Sequence, residues 1–165
     1  MNRKLIGIMA CTHSGVIGLE GKVPWRYEGE FKYFQEVTDN KIVIMGRKTF
    51  DEMRKLSLLK TRNNIIFTRN LSLQKHYQAP NIKFVHSLSE FKKIIVSERS
   101  DAYMIGGQEI ATVFLENDML SEFLLTKIHK EYKGDTYFPL SQLTDWQSEI
   151  ISSRKDYTIH KYIKN

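Results

Sequence analysis

The segment NKIVIMGRKT, residues 40–49, decides the class of fold. Its first seven residues contain a β-branched apolar run, which is typical of a buried parallel strand. Gly46 then permits a tight exit from that strand. The next three residues, Arg47, Lys48 and Thr49, lie at the start of a predicted helix. A strand that leads directly into a helix indicates an α/β fold, in which ligands bind where strands end and helices begin.

Strands and helices alternate on both sides of this segment. Strands are predicted at residues 5–11, 40–46, 64–68, 82–85 and 101–106, and helices after Trp25, after Gly46, from the Ser87–Glu90 capping box to residue 96, and at 109–116. After Met119 only strands follow, at residues 122–130, 146–152 and 157–163, with a hairpin turn before the last. We predict one α/β domain over residues 1–165. Its mostly parallel eight-stranded sheet has an antiparallel C-terminal edge and about four flanking helices.

Composition excludes several classes of protein. The 165 residues, 41% hydrophobic and 27% charged, suit one ordinary globular domain. The single cysteine, Cys11, excludes a disulfide framework and suits a reducing compartment such as the cytoplasm. No apolar run approaches the length of a membrane span, and the N-terminal run lacks a signal-peptide cleavage site, so we expect neither membrane insertion nor export. The five histidines show no metal-ligand spacing, and we expect no metal site.

The net charge of +6 favours anionic partners, and three interpretations compete. They are nucleic acid, a small anionic ligand, and a solvated basic surface. The basic residues are spread along the chain without a run of four, and no RNA-binding signature is present. We therefore expect no nucleic acid partner, and a polyanionic ligand would explain only the few cations placed at turns.

Two predicted strand-to-helix junctions carry glycine. At the first, the helix that begins near Arg47 offers free N–H groups and two cations to phosphate, but Thr49 and Glu52 could equally form a capping box. At the second, Gly106-Gly107 lets backbone approach a ligand, or forms a simple tight turn. The Rossmann pattern G-x-G-x-x-G is absent. Two such junctions in one domain favour a nucleotide site.

The helix after Pro24-Trp25 carries an acid on its apolar face. Helical spacing groups the following side chains into one stripe: Tyr27, Glu30, Phe31, Phe34 and Val37. Burial would raise the pKa of the Glu30 carboxyl, whereas the alternative is a first-turn acid that complements the helix dipole. On the residues alone the dipole interpretation leads. The long glycine-bearing stretch before this helix, residues 15–25, suggests a lid or binding loop.

Several motifs together resemble those of the dihydrofolate reductase family. They are Val16-Ile-Gly, Pro24-Trp25, Glu30-Phe31 with Phe34, Val43-Ile-Met-Gly-Arg-Lys-Thr49, Arg62-x-Asn64-Ile-Ile, Ile105-Gly-Gly107, Thr126 and Gly134-Asp-Thr-Tyr-Phe-Pro139. They occur in the family's order and span nearly the whole chain, which chance does not explain.

The resemblance implies the reaction and its acid. NADPH would give hydride to C6 of 7,8-dihydrofolate while N5 gains a proton, yielding 5,6,7,8-tetrahydrofolate for one-carbon metabolism. Glu30 would promote protonation of N5, and Trp25 and Thr126 would hold the acid and a water. The helix pattern favours a dipole role for Glu30, whereas the resemblance favours a buried acid that takes part in the reaction. We therefore expect a cytoplasmic, monomeric oxidoreductase that antifolates inhibit.

The resemblance also implies binding residues. For the substrate they are Ile8, Met9, Glu30, Phe31, Phe34, Met53, Leu59, Arg62, Ile105 and Thr126, with a bidentate Arg62 on folate's α-carboxylate. For the cofactor they are Ala10, Ile17, Gly18, Gly46, Arg47, Lys48, Thr49, Thr68, Arg69, Gly106, Gly107, Gln108, Glu109 and Ile110. In that set Arg69 would meet the 2′-phosphate, and Gly106-Gly107 would carry the family's cis peptide.

The chain departs from the family's usual pattern at three places. Ala111 replaces an aromatic residue beside the nicotinamide, Met9 replaces a smaller residue, and residues 53–62 form a longer segment without the usual proline and glycine. We therefore predict weaker binding of diaminopyrimidine antifolates than typical bacterial members show. Ordinary nanomolar inhibition by such a compound would contradict this.

Two alternatives remain at this point. The related NADPH-dependent reductase of riboflavin biosynthesis shares the fold, but Arg62 and the Glu30 helix fit folate's carboxylate and pterin. A basic nucleic-acid-binding module rests only on the pI near 9.3. Steep salt dependence of nucleic acid binding, without a thermal shift from NADPH, would favour that module.

Overall fold

A computed structural model of the protein describes residues 3–165. Its strands are β1 (Leu5–Thr12), β2 (Val16–Gly18), β3 (Ile42–Gly46), β4 (Asn63–Phe67), β5 (Ile82–Val85), β6 (Ala102–Gly106), β7 (Glu122–Ile128), β8 (Thr136–Tyr137), β9 (Gln147–Ser153) and β10 (Tyr157–Ile163). Its α-helices are α1 (Glu28–Thr38), α2 (Arg47–Lys55), α3 (Leu73–His76), α4 (Leu88–Ile95) and α5 (Gln108–Glu116), and a 3-10 helix covers Leu140–Leu143.

The main sheet confirms the predicted architecture. Its eight strands run in the order β5-β4-β3-β6-β1-β7-β10-β9. The first six are parallel to their neighbours, while β10 is antiparallel to both β7 and β9. The carboxyl ends of β1, β3 and β6 therefore lie at one edge of the sheet, where ligands of α/β proteins bind.

Helices cover both faces of this sheet. On one face, α1 and α2 pack over an apolar cluster that includes Val43, Phe50 and Ile66. On the other, α4 and α5 pack over a larger cluster that includes Phe91 and Phe114. The central strand β3 contributes to both clusters because neighbouring residues of a strand point to opposite faces. This double burial explains its continuous apolar run.

One predicted capping box forms and the alternative one does not. The Ser87 hydroxyl accepts the Glu90 N–H at 3.1 Å, and the Glu90 carboxylate accepts the His86 N–H at 2.9 Å. By contrast, α2 begins at Arg47 with Gly46 as its N-cap and no side-chain cap bond. The tight exit from β3 places Thr49 inside the first turn, where it cannot cap the helix. The capping-box interpretation of Thr49 and Glu52 is therefore wrong.

Short elements escaped prediction. The strands β2 and β8 form a separate two-stranded antiparallel sheet, and α3 has only four residues. In addition, β7 ends at Ile128, two residues earlier than expected. The next residue, His129, donates its N–H to the Asp156 carbonyl at 2.9 Å, just before β10. Among the described residues, no helix is both long and apolar enough to cross a membrane.

Candidate active site

The two glycine-bearing junctions lie side by side. Met45 of β3 is in register with Gly106 of β6. A Cβ added to Gly46 would lie 3.2 Å from Cγ1 of Ile110 and 4.0 Å from the Gly107 nitrogen. A Cβ added to Gly106 would lie 3.2 Å from Cε of Met9. The junctions thus form one wall in which any side chain would crowd a neighbour.

Both helices at this wall begin with uncapped backbone. The N-caps are Gly46 for α2 and Gly107 for α5, and neither receives a side-chain cap bond. The peptide bond between Gly106 and Gly107 is cis, as the resemblance implied, and Gly106 has a φ of +121°, which favours glycine. Two sets of free N–H groups at one edge of the sheet are suited to an anion with several charges.

Cationic side chains surround these helix ends, each beside an acid. Arg47 contacts Asp51 at 3.0 Å, one turn along α2. Arg69 contacts Glu109 at 3.4 Å, with side chains 93% and 78% exposed. Because exposed ion pairs of this kind are weak, Arg69 remains available to an anionic ligand. The pair also shows that the end of β4 reaches the start of α5.

The predicted binding loop, residues 15–25, lies against the segment around β8. The strand β2 lies in the predicted loop and pairs with β8. The Asp135 carboxylate accepts the Glu20 N–H at 3.0 Å and the Thr136 hydroxyl at 2.9 Å. These bonds, together with the charge of Lys48, lower the pKa of Asp135. Lys48 therefore faces the loop before β8 as well as the helix end.

Glu30 lies half-buried in the first turn of α1. Burial raises the pKa of its carboxyl to about 7, well above the usual range of a glutamate. Within residues 3–165 this carboxyl makes no hydrogen bond or ion pair with another side chain. Desolvation alone therefore holds a substantial fraction of Glu30 protonated at neutral pH.

Six of the predicted substrate residues share one apolar cluster. This cluster lies between α1, α2 and the sheet and contains Ile8, Phe31, Phe34, Met53, Leu59 and Ile105. Met9 lies on the opposite face of β1, where its thioether packs against Gly106. The structure thus brings these six predicted substrate residues into one cluster and places Met9 beside the glycine junction instead.

Trp25 and Thr126, the predicted partners of the acid, are both buried. Trp25 packs with Ile128 and Ile159 in a third small cluster, which also touches Ala10. Thr126 is buried and pairs in register with Ala10. Among the described residues, neither side chain is hydrogen-bonded to the Glu30 carboxyl. Thr126 and the cluster that contains Trp25 thus both lie beside Ala10, whereas their contact with Glu30 stays a prediction.

Arg62 is buried and its guanidinium is largely occupied. Its Nε donates to Thr38 at 3.2 Å, Nη1 to the Leu58 carbonyl at 2.7 Å and to Thr61 at 3.2 Å, and Nη2 to the Gln35 carbonyl at 3.0 Å. A guanidinium has five N–H groups, so one on Nη2 remains. Arg62 thus ties β4 to α1 and offers a ligand less than the expected bidentate fork.

Two aromatic residues that reach the head of α1, Tyr132 and Tyr157, were missed by the sequence analysis. The hydroxyls of Tyr27 and Tyr132 lie 2.7 Å apart, and the Tyr132 ring packs on Trp25 with ring centroids 5.8 Å apart. A Cβ on Gly29 would lie 2.6 Å from the Tyr157 hydroxyl. No periodic pattern marks Tyr132 or Tyr157, since each reaches α1 from far along the chain.

Comparison with known proteins gives a consistent result. The family model described as dihydrofolate reductase matches residues 4–163. The chain is 36% identical to the dihydrofolate reductase of Lactococcus lactis, with 97% of each chain covered. It is 30% identical to that of Staphylococcus haemolyticus, covering 98% of this chain and 87% of the relative. A solved dihydrofolate reductase from Enterococcus faecalis, complexed with NADP(H) and RAB-propyl, superposes with a TM-score of 0.79 at 28% identity, covering 98% and 96%.

Proposed function

The chain belongs to the dihydrofolate reductase family, and we propose that its half-buried acid, Glu30, delivers the proton that the reduction requires. The enzyme is an NADPH-dependent oxidoreductase that converts 7,8-dihydrofolate to 5,6,7,8-tetrahydrofolate. Bound NADPH supplies the hydride for C6 of the pterin. The protein's own task is to bind both molecules, align them, exclude water and move a proton to N5.

The pKa of Glu30 is the observation that carries the proposal. A general acid is most effective when its pKa lies near the working pH. An exposed glutamate is almost fully ionised at pH 7, whereas burial raises the pKa of Glu30 to about 7. Glu30 directly precedes Phe31, whose ring belongs to the apolar cluster proposed to bind the pterin, so its carboxyl would lie next to the substrate. Trp25 and Thr126 would hold a water between the acid and N5.

The glycine junctions fit the cofactor. A Cβ on Gly46 or Gly106 would crowd Ile110 or Met9, so glycine at both positions lets the two helix starts lie close together, as a shared phosphate site needs. The uncapped starts of α2 and α5 suit the pyrophosphate, with Arg47, Lys48 and Thr49 beside it. Arg69 is proposed to meet the 2′-phosphate. The remaining proposed contacts are Ala10, Ile17, Gly18, Thr68, Gly107, Gln108, Glu109 and Ile110.

Arg62 is proposed to bind the α-carboxylate of folate. Its one remaining N–H can donate to a single carboxylate oxygen, since the other four donate to protein carbonyls and hydroxyls. A single charge-assisted bond to a buried arginine is still strong. The substrate therefore meets an arginine that is already fixed in place.

The assay that tests the proposal follows NADPH oxidation with dihydrofolate. We expect the Glu30→Gln variant to lose about a hundredfold or more in kcat at neutral pH, because amide cannot donate an acidic proton. Glu28→Gln is the matched control, since Glu28 lies exposed in the same first turn. Full activity in Glu30→Gln would remove Glu30 from the mechanism. Loss of activity in both variants would assign the effect to the helix turn.

We further propose that the enzyme works as a monomer in the cytoplasm, without nucleic acid or membrane partners. The lone thiol, Cys11, is buried, and burial raises its pKa to about 12, which suits a reducing compartment. Sedimentation analysis tests the monomer. Nucleic acid binding with a steep salt dependence would contradict the absence of that partner.

A further inference from the structure

A pair of tyrosine hydroxyls joins the head of α1 to a distant loop. Tyr27 is the N-cap residue of α1, and Tyr132 lies between β7 and β8. Their hydroxyls lie 2.7 Å apart, and either one can be the donor. Both side chains are half-buried. The bond therefore spans 105 residues of chain and ends on the turn that carries Glu30.

The ring of Tyr132 also supports Trp25. The two ring centroids are 5.8 Å apart, with planes tilted by 49°. On its own loop, Lys130 lies over the Tyr132 ring at 5.3 Å. Trp25 is only 8% exposed and belongs to the small cluster that includes Ile128 and Tyr157. Tyr132 thus contacts both the last residue of the loop at 15–25, Trp25, and the N-cap residue of α1, Tyr27.

The first turn of α1 depends on these contacts. The Tyr27 side chain makes no cap bond to the helix, but its carbonyl accepts the Phe31 N–H at 3.0 Å. From β10, the Tyr157 hydroxyl lies against Gly29, and Asp156 acts electrostatically on Tyr27. No charged side chain contributes to the pKa shift of Glu30, which arises from burial. The hydration of its carboxyl therefore depends on how closely this turn is covered.

We propose that Tyr132 is a positioning residue, which holds Trp25 and Tyr27 against the first turn of α1 and so keeps water from Glu30 in that turn. This inference rests on the proposed role of Glu30. A purely stabilising hydrogen bond between hydroxyls contributes about 1 kcal/mol and leaves the titration of a neighbouring acid unchanged. A contact that keeps water away instead controls the hydration of the Glu30 carboxyl, and therefore the pH at which this carboxyl loses its proton.

The test is the pH dependence of NADPH oxidation with dihydrofolate in Tyr132→Phe, which removes one hydroxyl and keeps the ring. We expect the apparent pKa of the rate profile to fall by about 0.5–1 unit toward that of a free glutamate. At about pH 8 the protonated fraction, and with it kcat, should then fall roughly three- to tenfold. Both KM values should stay within about twofold, since neither Tyr132 nor Tyr27 is placed in the binding wall.

Two further variants make the result decisive. Tyr137→Phe is the matched control, because its exposed hydroxyl bonds only to the Gly134 carbonyl of the same region, at 3.0 Å. It should keep the wild-type profile. Tyr27→Phe should repeat the shift of Tyr132→Phe, and the double variant should add little, since both remove one shared bond.

Two outcomes would overturn the proposal. One is a wild-type pH profile in Tyr132→Phe. The other is a loss of kcat that is equal at every pH, which would show a structural role only. Failure of the proposed function itself is distinguishable, because the wild-type enzyme would then show no Glu30-dependent titration at all.

Discussion

The two ends of the proposed active site are held in different ways. The cofactor edge comprises residues 46–49 and 106–110. The acid end comprises Trp25, Tyr27, Glu30 and Tyr132. At the cofactor edge, glycines bring two helix starts so close together that an added Cβ would meet a neighbour at about van der Waals distance or less. At the acid end, a hydroxyl pair and a ring contact join a loop to a helix.

This difference matches the two tasks of the reaction. Hydride transfer depends on alignment, and displacements of about 1 Å can cost a hundredfold in rate. A wall of crowded glycines resists such displacement. Proton delivery depends on the pKa of one carboxyl, which changes gradually with its hydration. We therefore expect substitutions at the cofactor edge to cause large losses of rate, and substitutions at the acid end to shift the pH dependence of the rate gradually.

The largest effect is expected from Gly106→Ala at the cofactor edge. Gly106 has a φ of +121°, and its added Cβ would lie 3.2 Å from the Met9 Cε. Backbone strain and displacement should lower stability by about 1–3 kcal/mol and kcat/KM for NADPH by about a hundredfold. Urea unfolding and steady-state kinetics measure the two effects.

Gly21→Ala is the control for this substitution. Gly21 also has a positive φ, +78°, but a Cβ there would meet nothing within 4 Å. It should share the backbone strain and leave the kinetics of NADPH unchanged. Equal kinetic losses in both variants would contradict the crowded wall.

Arg62→Lys should come next in size. The guanidinium donates to the Leu58 and Gln35 carbonyls from a buried position, and a lysine cannot reproduce its planar fork. We expect a loss of about 2–3 kcal/mol in the free energy of unfolding and a rise of about tenfold in KM for dihydrofolate. The exposed Arg69→Lys serves as control in the same two measurements. An unchanged KM would remove Arg62 from substrate binding.

Glu30→Gln should raise stability in a pH-dependent way. The folded protein holds the Glu30 proton up to a pKa of about 7, whereas an unfolded glutamate releases it near its usual value. The native state therefore binds more protons, and its stability falls as pH rises through this window. Gln removes that cost, so the variant should gain about 3 kcal/mol at about pH 8 and nothing below about pH 4. Thermal unfolding across this range should show no such trend for Glu28→Gln.

The smallest effect is expected from Arg69→Gln. The side chain is 93% exposed and its pair with Glu109 is weak, so the melting temperature should not change measurably. If Arg69 meets the 2′-phosphate, KM for NADPH should rise roughly three- to tenfold. KM for NADH, which lacks that phosphate, should stay constant. A parallel rise for both cofactors would show that Arg69 acts on something else.

The strands of the sheet were predictable because their signal is local. The buried run at 42–46 follows from its β-branched residues, and the change from alternating elements to strands alone after Met119 follows from periodicity. The strands β2 and β8 have three and two residues, too few for any period to show. These two strands form because their segments, which are far apart in the chain, pair with each other in the fold.

The candidate site was only partly predictable for the same reason. Residue types and glycine positions pointed to both junctions, but their contact depends on β3 lying beside β6, which are not consecutive in the chain. Sequence indicated an arginine at position 62 but not that four of its N–H groups are used by the protein. The hydroxyl bond between Tyr27 and Tyr132 joins two segments that no pattern connects.

Glu30 could be located from the sequence, but its chemical state could be read only from the structure. Helical spacing placed it on the apolar face of α1 but left a simple dipole role ahead. Its burial depends on residues that reach the first turn of α1 from elsewhere in the chain, such as Tyr157 of β10, whose hydroxyl lies against Gly29. The raised pKa is thus a tertiary effect on a residue that helical periodicity could locate but not interpret.

The most direct test of this account is the pre-steady-state rate of hydride transfer from NADPH to dihydrofolate, measured against pH. For the wild-type enzyme we predict a rate that falls about tenfold per pH unit above an apparent pKa near 7. The Glu30→Gln variant should be slow and show no titration in this range. A wild-type rate independent of pH between about 5 and 9, or the same titration in Glu30→Gln, would contradict the assignment of Glu30 as the acid.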